Sequence, residues 1–231
     1  MPVRFRPPAP GCLFYGHKFD GNGVKMGTVL AIGAHPDDIE LGCSGTLGIH
    51  KMNGDKVYLL ILTKGEASGD PRLREEECRK SAELMGADDL FFGGLRDTRV
   101  HDGVETIEII EKIVDQVEPD VIYTHTYKDT HQDHRNTAYA TLSAARRCKK
   151  ILMYEGASTL RDFVPQVFTD IEKTFELKEK ITGLFGSQMN RGGGRYRSAA
   201  KAIGGLARYR GYQAGVDVAE AFEVGKFIHE F

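Results

Sequence analysis

His35, Asp37 and Asp38 fall within the four residues His35-Pro36-Asp37-Asp38, and about a hundred residues later His131, Asp133 and His134 bring the same side-chain types together again. Imidazole nitrogen and carboxylate oxygen are donors that zinc accepts, and a catalytic zinc keeps a fourth position open for water. His35 and Asp38, three apart in a tight Pro-containing loop, form a credible pair of local ligands. His134, at the start of a helix and so fixed in direction, completes a His/Asp/His set. Bound zinc lowers the pKa of its water to about 7. Asp37, beside a ligand but not needed as one, would accept the proton of that water. A carboxylate near an imidazole favours its charged form and fixes its orientation, so His131, held by Asp133, could serve an oxyanion or a leaving amine. Metal, base and acid together suit hydrolysis of an amide.

The elements that must position these groups alternate between apolar runs and helical patterns, as βαβ units do. Strands are expected at 28–33, 56–63, 90–92, 121–124 and 151–154, with weaker ones at 167–168 and 221–224. Helices are expected from Ser44, as N-cap, to Met52, then over 72–85, 104–117, 134–147 and 172–187, and after a glycine-rich loop at 192–194. In an open, doubly wound sheet, ligands bind beyond the carboxyl ends of the strands where the winding reverses. The two His/Asp motifs follow the strands at 28–33 and 121–124, so neighbouring strands there would turn both motifs onto one crevice.

Composition narrows the classes. The 231 residues suit one α/β domain, and 33 acidic against 31 basic residues argue for no nucleic-acid partner. No apolar stretch approaches the roughly 20 residues of a membrane span. Cys12, Cys43, Cys78 and Cys148 show neither C-x-x-C pairing nor a dense framework, which points to reduced thiols and a cytoplasmic protein. Residues 1–25, rich in proline and glycine, read as an N-terminal extension, with a single domain over 26–231. A homo-oligomer is compatible with all of this.

Either motif alone reads equally well as a polar turn or a helix cap. Their joint placement after two strands is what favours a site. His125, ending a strand, reads as a structural histidine, and His17, His50, His101 and His229 as surface residues. Two other classes stay open: a non-catalytic sugar- or nucleotide-binding module, and a metal-dependent phosphoesterase that recruits Asp129 and His125 for a second metal. The stretch from Arg191 to Arg197 reads as an RNA contact or as a loop closing over the crevice.

The motif Ala34-His35-Pro36-Asp37-Asp38, followed by Glu40-x-Gly42-x-x-Gly45-Thr46 and later by His131-x-Asp133-His134, resembles the PIG-L/LmbE family of zinc-dependent N-deacetylases. Arg74-x-x-Glu77, Ser187-Gln188 and Ala219-Glu220-Ala221-Phe222 extend the likeness. The resemblance implies a Rossmann-like, doubly wound, mostly parallel sheet with helices on both faces. It implies one zinc per chain, or another divalent metal, and an N-acetylated amino-sugar conjugate as substrate. By motif, His35, Asp38 and His134 match the metal ligands, Asp37 the base, His131 the acid and Asp133 the residue that tunes it. Arg74 and Asp97 match positions that contact the sugar. Arg74 alone would read as the partner of Glu77 on a solvated helix face. Two departures stand out: Ile39 precedes Glu40 where Glu commonly follows the aspartates directly, and Asp129 stands where some relatives carry a tyrosine.

Overall fold

The structure is a computed structural model that describes residues 18–19, 25–189 and 197–229. Within the expected N-terminal extension it describes one short pairing, β1 (Lys18–Phe19) antiparallel to β2 (Lys25–Met26). The main sheet is built from β3 (Thr28–Gly33), β4 (Lys56–Thr63), β5 (Asp89–Leu95), β6 (Val121–His125), β7 (Lys150–Tyr154), β8 (Val167–Asp170) and β9 (Ala219–Phe227). Their order is β5-β4-β3-β6-β7-β9-β8, parallel except that β9 runs against both its neighbours. The chain winds outward from β3 to β5, then returns to β3's other side with β6. The reversal therefore falls between β3 and β6, as the motif placement requires.

Both faces are covered. Val29 and Ala31 of β3 join a core with residues of α1 (Asp38–Met52), α2 (Pro71–Met85) and α5 (Phe175–Gly183). Leu30 and Ile32 turn to the opposite face and pack with residues of α3 (Val104–Val117) and α4 (Gln132–Ala144). Consecutive residues of a strand point to opposite faces, so a continuous apolar run such as Thr28–Gly33 supplies both cores at once. The chain closes with α6 (Gly186–Met189), α7 (Arg197–Ala214) and β9.

Several boundaries differ from expectation. α1 starts at Asp38 rather than Ser44, and Ser44 Oγ donates to Glu40 O one turn back instead of capping. Glycines inside the helix concealed its true start. A β-carbon at Gly42 would overlap the Tyr154 ring, so the missing side chain lets α1 lie close over β7. The expected helix over 172–187 is a 3₁₀ turn at Glu172–Thr174 followed by α5 and α6. α4 runs 132–144 rather than 134–147, and β5 extends to 89–95. The glycine-rich loop at 192–194, with Arg191 and Arg195, lies outside the described residues. Among the described residues, no helix is long and apolar enough to cross a membrane.

Candidate metal centre

The loop from β3 into α1 takes four residues, Ala34 to Asp37. Asp37 precedes α1 with φ of 99°, a left-handed conformation that costs a non-glycine residue energy and often marks a functional site. That turn brings Asp38 Oδ2 within 2.7 Å of the His35 backbone N–H, which donates to it. His131 is the N-cap of α4, and His134 stands in its first turn. Because β3 and β6 are neighbours, both loops open on one cavity of about 470 Å³. His35, Asp37, Asp38, Arg74, Asp97, His131 and His134 all line it. Asp133, fully buried, lies just behind the wall.

Three donors converge. His35 Nδ1 lies 3.3 Å from Asp38 Oδ2 and 3.3 Å from His134 Nε2, and His134 Nε2 lies 3.3 Å from Asp38 Oδ1. Ligands held 2.0–2.1 Å from a tetrahedral zinc stand about 3.3–3.4 Å apart. The two nitrogens stand at that spacing from each other, and each stands at it from one of the two Asp38 oxygens. The far nitrogens are also fixed: His35 Nε2 is 3.2 Å from both Asp97 Oδ1 and Asp133 Oδ2, and His134 Nδ1 is 3.2 Å from Asp129 Oδ2. A carboxylate behind each ligating histidine is the usual way a protein sets the ring's tautomer and direction. His125 Nε2 is 3.0 Å from Asp38 Oδ2 and 3.2 Å from the Ala34 backbone nitrogen. It can donate to the first or accept from the second but not both, and it braces the carboxylate in the tautomer that carries the proton on Nε2.

The charges do not balance within the protein. Asp37, Asp38, Asp97, Asp129 and Asp133 share this region with one guanidinium, that of Arg74. Burial alone would lower the His35 pKa, yet hydrogen bonds with Asp133 and Asp38 raise it to about 12. His134 is likewise raised to about 9, against the cost of burial, chiefly by the Asp38 charge. Burial, the adjacent Asp38 charge and Glu40 push Asp37 up to about 8, although Arg74 opposes them. Burial opposes the Asp38 charge too, but His134 and His125 hold its pKa well below the usual range. Burial lowers His125 to about 4. A divalent cation among His35, Asp38 and His134 would neutralise this excess and leave both ligating rings neutral. Overlapping sets, His35/His131/His134, Asp38/His125/His134 and His35/Asp97/Asp133, also bring donor atoms together. The first set takes in the His131 ring, and the third uses the far nitrogen of His35.

The link expected between Asp133 and His131 takes a different form. The Asp133 carboxylate goes to His35 Nε2 and accepts the Thr98 N–H at 2.8 Å. His131 is instead held by the Asp133 backbone, whose N–H donates to Nδ1 at 3.2 Å. An accepting Nδ1 leaves the neutral ring's proton on Nε2. Burial together with the His134 and His35 charges lowers the His131 pKa, which favours the neutral ring over the expected imidazolium.

Arg74 is 2% exposed and does not pair with Glu77, so the solvated-face reading fails. Its guanidinium donates to Gly65 O at 2.9 Å, to Pro36 O at 2.6 Å, to Ser68 Oγ and, at 3.3 Å, to Asp37 Oδ1. Its Nε has no partner. Asp97 lines the cavity while its oxygens face His35 and the Ala67 N–H. Glu40 turns away beneath α1 to accept from Ser81 Oγ at 2.6 Å, and Ile39 before it is wholly buried, so that departure leaves the cavity untouched. Sequence reasoning missed the parts played by Asp129, His125 and Ser158. Ser158 Oγ donates to Asp129 Oδ1 at 2.6 Å and lies 3.3 Å from His134 Nδ1. The signal for Asp129 was its position two before His131, whose N–H it accepts at 2.7 Å in an Asx turn. His50, expected on the surface, is partly buried between Asp55 and Tyr123.

The model of the PIG-L family, described as GlcNAc-PI de-N-acetylase, matches residues 30–145, the stretch that carries both motifs. The chain belongs to this family. An uncharacterized deacetylase of Escherichia coli K12 is 36% identical over 160 residues, 65% of this chain and 85% of that protein. A probable N-acetyl-alpha-D-glucosaminyl L-malate deacetylase of Bacillus subtilis 168 is 31% identical over 137 residues, 53% of this chain and 62% of that protein. Among solved structures, a conserved protein of Thermus thermophilus superposes with a TM-score of 0.80 at 26% identity, covering 89% of this chain and 98% of that one. This PIG-L protein is a deacetylase, an enzyme that hydrolyses a carbon–nitrogen amide bond.

Proposed function

We propose that this deacetylase is zinc-dependent and removes the acetyl group from an N-acetylated amino-sugar conjugate in the cytoplasm. The observation that carries the metal reading is the triangle of His35 Nδ1, Asp38 and His134 Nε2 at tetrahedral spacing, each member braced from behind. The substrate class rests on the family description and on the sugar substrate named for the Bacillus subtilis relative. When bound, zinc supplies a Lewis acid that makes water acidic near neutral pH and polarises an acyl oxygen.

The chain's residues do the rest. Asp37 accepts the proton of the attacking water; Arg74 holds its carboxylate, and the strained turn aims it into the cavity. His131, with its proton on Nε2, donates a hydrogen bond to the oxygen that gains charge in the tetrahedral state, and Asp37 passes the proton it took from water to the leaving amine. Asp133 and Asp129 orient the ligating rings. Arg74 and Asp97, both on the cavity wall, are the sugar contacts.

Acetate release from N-acetylglucosamine is the test, with zinc-loaded protein against the same protein stripped by chelator. The expected result is turnover only with metal, restored by adding zinc back. Equal turnover in the stripped protein would overturn the zinc reading, and no acetate from any N-acetylated sugar would overturn the substrate class.

A further inference from the structure

Among the described residues, three other than glycine have a positive φ: Asp37 at 99°, Thr98 at 66° and Glu118 at 47°. Glu118 closes α3, where a left-handed residue is an ordinary stop. Asp37 and Thr98 both line the cavity of the metal centre. The strain at Asp37 serves to aim the base, whereas the strain at Thr98 serves nothing in the proposed chemistry. A branched β-carbon makes this conformation a genuine outlier. Thr98 is the third residue of a turn closed by the Arg99 N–H, which donates to Arg96 O at 3.0 Å. A positive φ at that position calls for glycine or asparagine.

Neighbouring groups hold this backbone in place. The Thr98 N–H donates to Asp133 Oδ2 at 2.8 Å, and Gln132 Nε2 donates to Thr98 O at 3.0 Å. Asp97 before it donates its N–H to Glu66 Oε1 at 2.8 Å, and its Oδ2 accepts the Ala67 N–H at 3.0 Å. The Asp133 oxygen that takes the Thr98 N–H also meets His35 Nε2 at 3.2 Å, so the turn is set in place relative to the metal donors. With both backbone groups engaged, the side chain is what remains for a ligand. It is exposed on the cavity wall, and no described residue hydrogen-bonds its hydroxyl. A hydroxyl both donates and accepts, which matches the hydroxyls of a sugar. Strain that the surroundings over-determine is a mark of ligand clamps and active sites.

We propose that Thr98 is a specificity-determining residue whose hydroxyl, presented by the left-handed turn, hydrogen-bonds a hydroxyl of the substrate's sugar beside Asp97. This rests on the amino-sugar reading of the site. A contact to a part of the sugar that does not react holds ground state and transition state alike, so its loss raises KM more than it lowers kcat. The test is steady-state kinetics of the zinc-loaded full chain on N-acetylglucosamine for wild type, Thr98→Val, Thr98→Ser and Thr98→Gly, with metal content and Tm measured alongside. Valine keeps the branch and the strain but lacks the hydroxyl, serine keeps the hydroxyl, and glycine drops the side chain and relieves the strain. The expected result is a KM raised about two- to tenfold in Thr98→Val and Thr98→Gly and near wild type in Thr98→Ser, with kcat moving less than KM. Metal is retained throughout, and the Tm of Thr98→Gly stands at or above that of wild type. A KM unmoved in Thr98→Val, or raised as far in Thr98→Ser as in Thr98→Val, would overturn the proposal while leaving the deacetylase reading intact. A wild type with no turnover of N-acetylated sugars would overturn the sugar reading and this assignment together.

Discussion

The sheet carries a histidine–carboxylate cluster at each end, and the two are built on opposite principles. At the amino ends of the strands, His50 Nδ1 bonds Asp55 Oδ2 at 2.6 Å and His50 Nε2 bonds Tyr123 Oη at 2.9 Å. Asp55 Oδ1 accepts the Gly27 N–H at 2.7 Å, so each of these polar atoms has a partner. At the carboxyl ends, five carboxylates crowd four histidines and one arginine. Among the described residues, Arg74 Nε and Asp133 Oδ1 are buried there without a hydrogen bond, and Asp129 Oδ2 meets His134 Nδ1 only as an ion-pair contact. A closed network stabilises a fold, whereas an open one with surplus negative charge stays costly until a cation and a substrate complete it. Histidine beside aspartate is thus no signal by itself; the imbalance is.

The comparison breaks most sharply at Asp37. Replacing it with Ala removes the base but none of the three metal donors, so kcat should fall by about 10²–10⁴-fold with zinc content unchanged. Full turnover in that variant would remove Asp37 from the mechanism. Asp129→Asn probes the layer behind: it weakens the grip on His134 Nδ1 and should cost about 10–100-fold in metal affinity or activity. Zinc titration of the variant against wild type reads this directly, and equal affinities would reduce Asp129 to a loop-holding role.

The closed cluster should respond in the other currency. Asp55→Ala should leave kcat/KM unchanged and lower stability by about 1–3 kcal/mol in denaturant titration. Although burial opposes its charge, the bonds from His50 and Gly27 hold the Asp55 pKa below its ordinary 3.8. Its contribution is therefore present above about pH 4 and lost as pH falls through the folded value, because the unfolded chain takes up the proton first. Below that pH the variant and wild type should converge. A variant that lost activity at neutral pH would show that the two ends are coupled.

The reversal between β3 and β6 was legible because the apolar runs at 28–33 and 121–124 are long enough to serve two cores, and a motif follows each. The convergence of His35, Asp38 and His134 was legible for the same reason. The start of α1 was not, since Gly42 and Gly45 weaken a helical pattern and their packing against Tyr154 and Ile171 cannot be seen in one dimension. Nor could sequence order say which imidazole Asp133 would serve. It lies two residues from His131, but the α4 turn sends its carboxylate across to His35, 98 positions away. Long-range bracing of this kind, like that of His125 and Asp129, is a property of the assembled loops.

The most direct test of the central claim is the metal content of protein purified without chelator, read by plasma mass spectrometry for wild type and His134→Ala. The account predicts about one zinc per wild-type chain and its loss in the variant. A wild type that neither carries nor takes up zinc, or a variant that keeps a full complement, would contradict it.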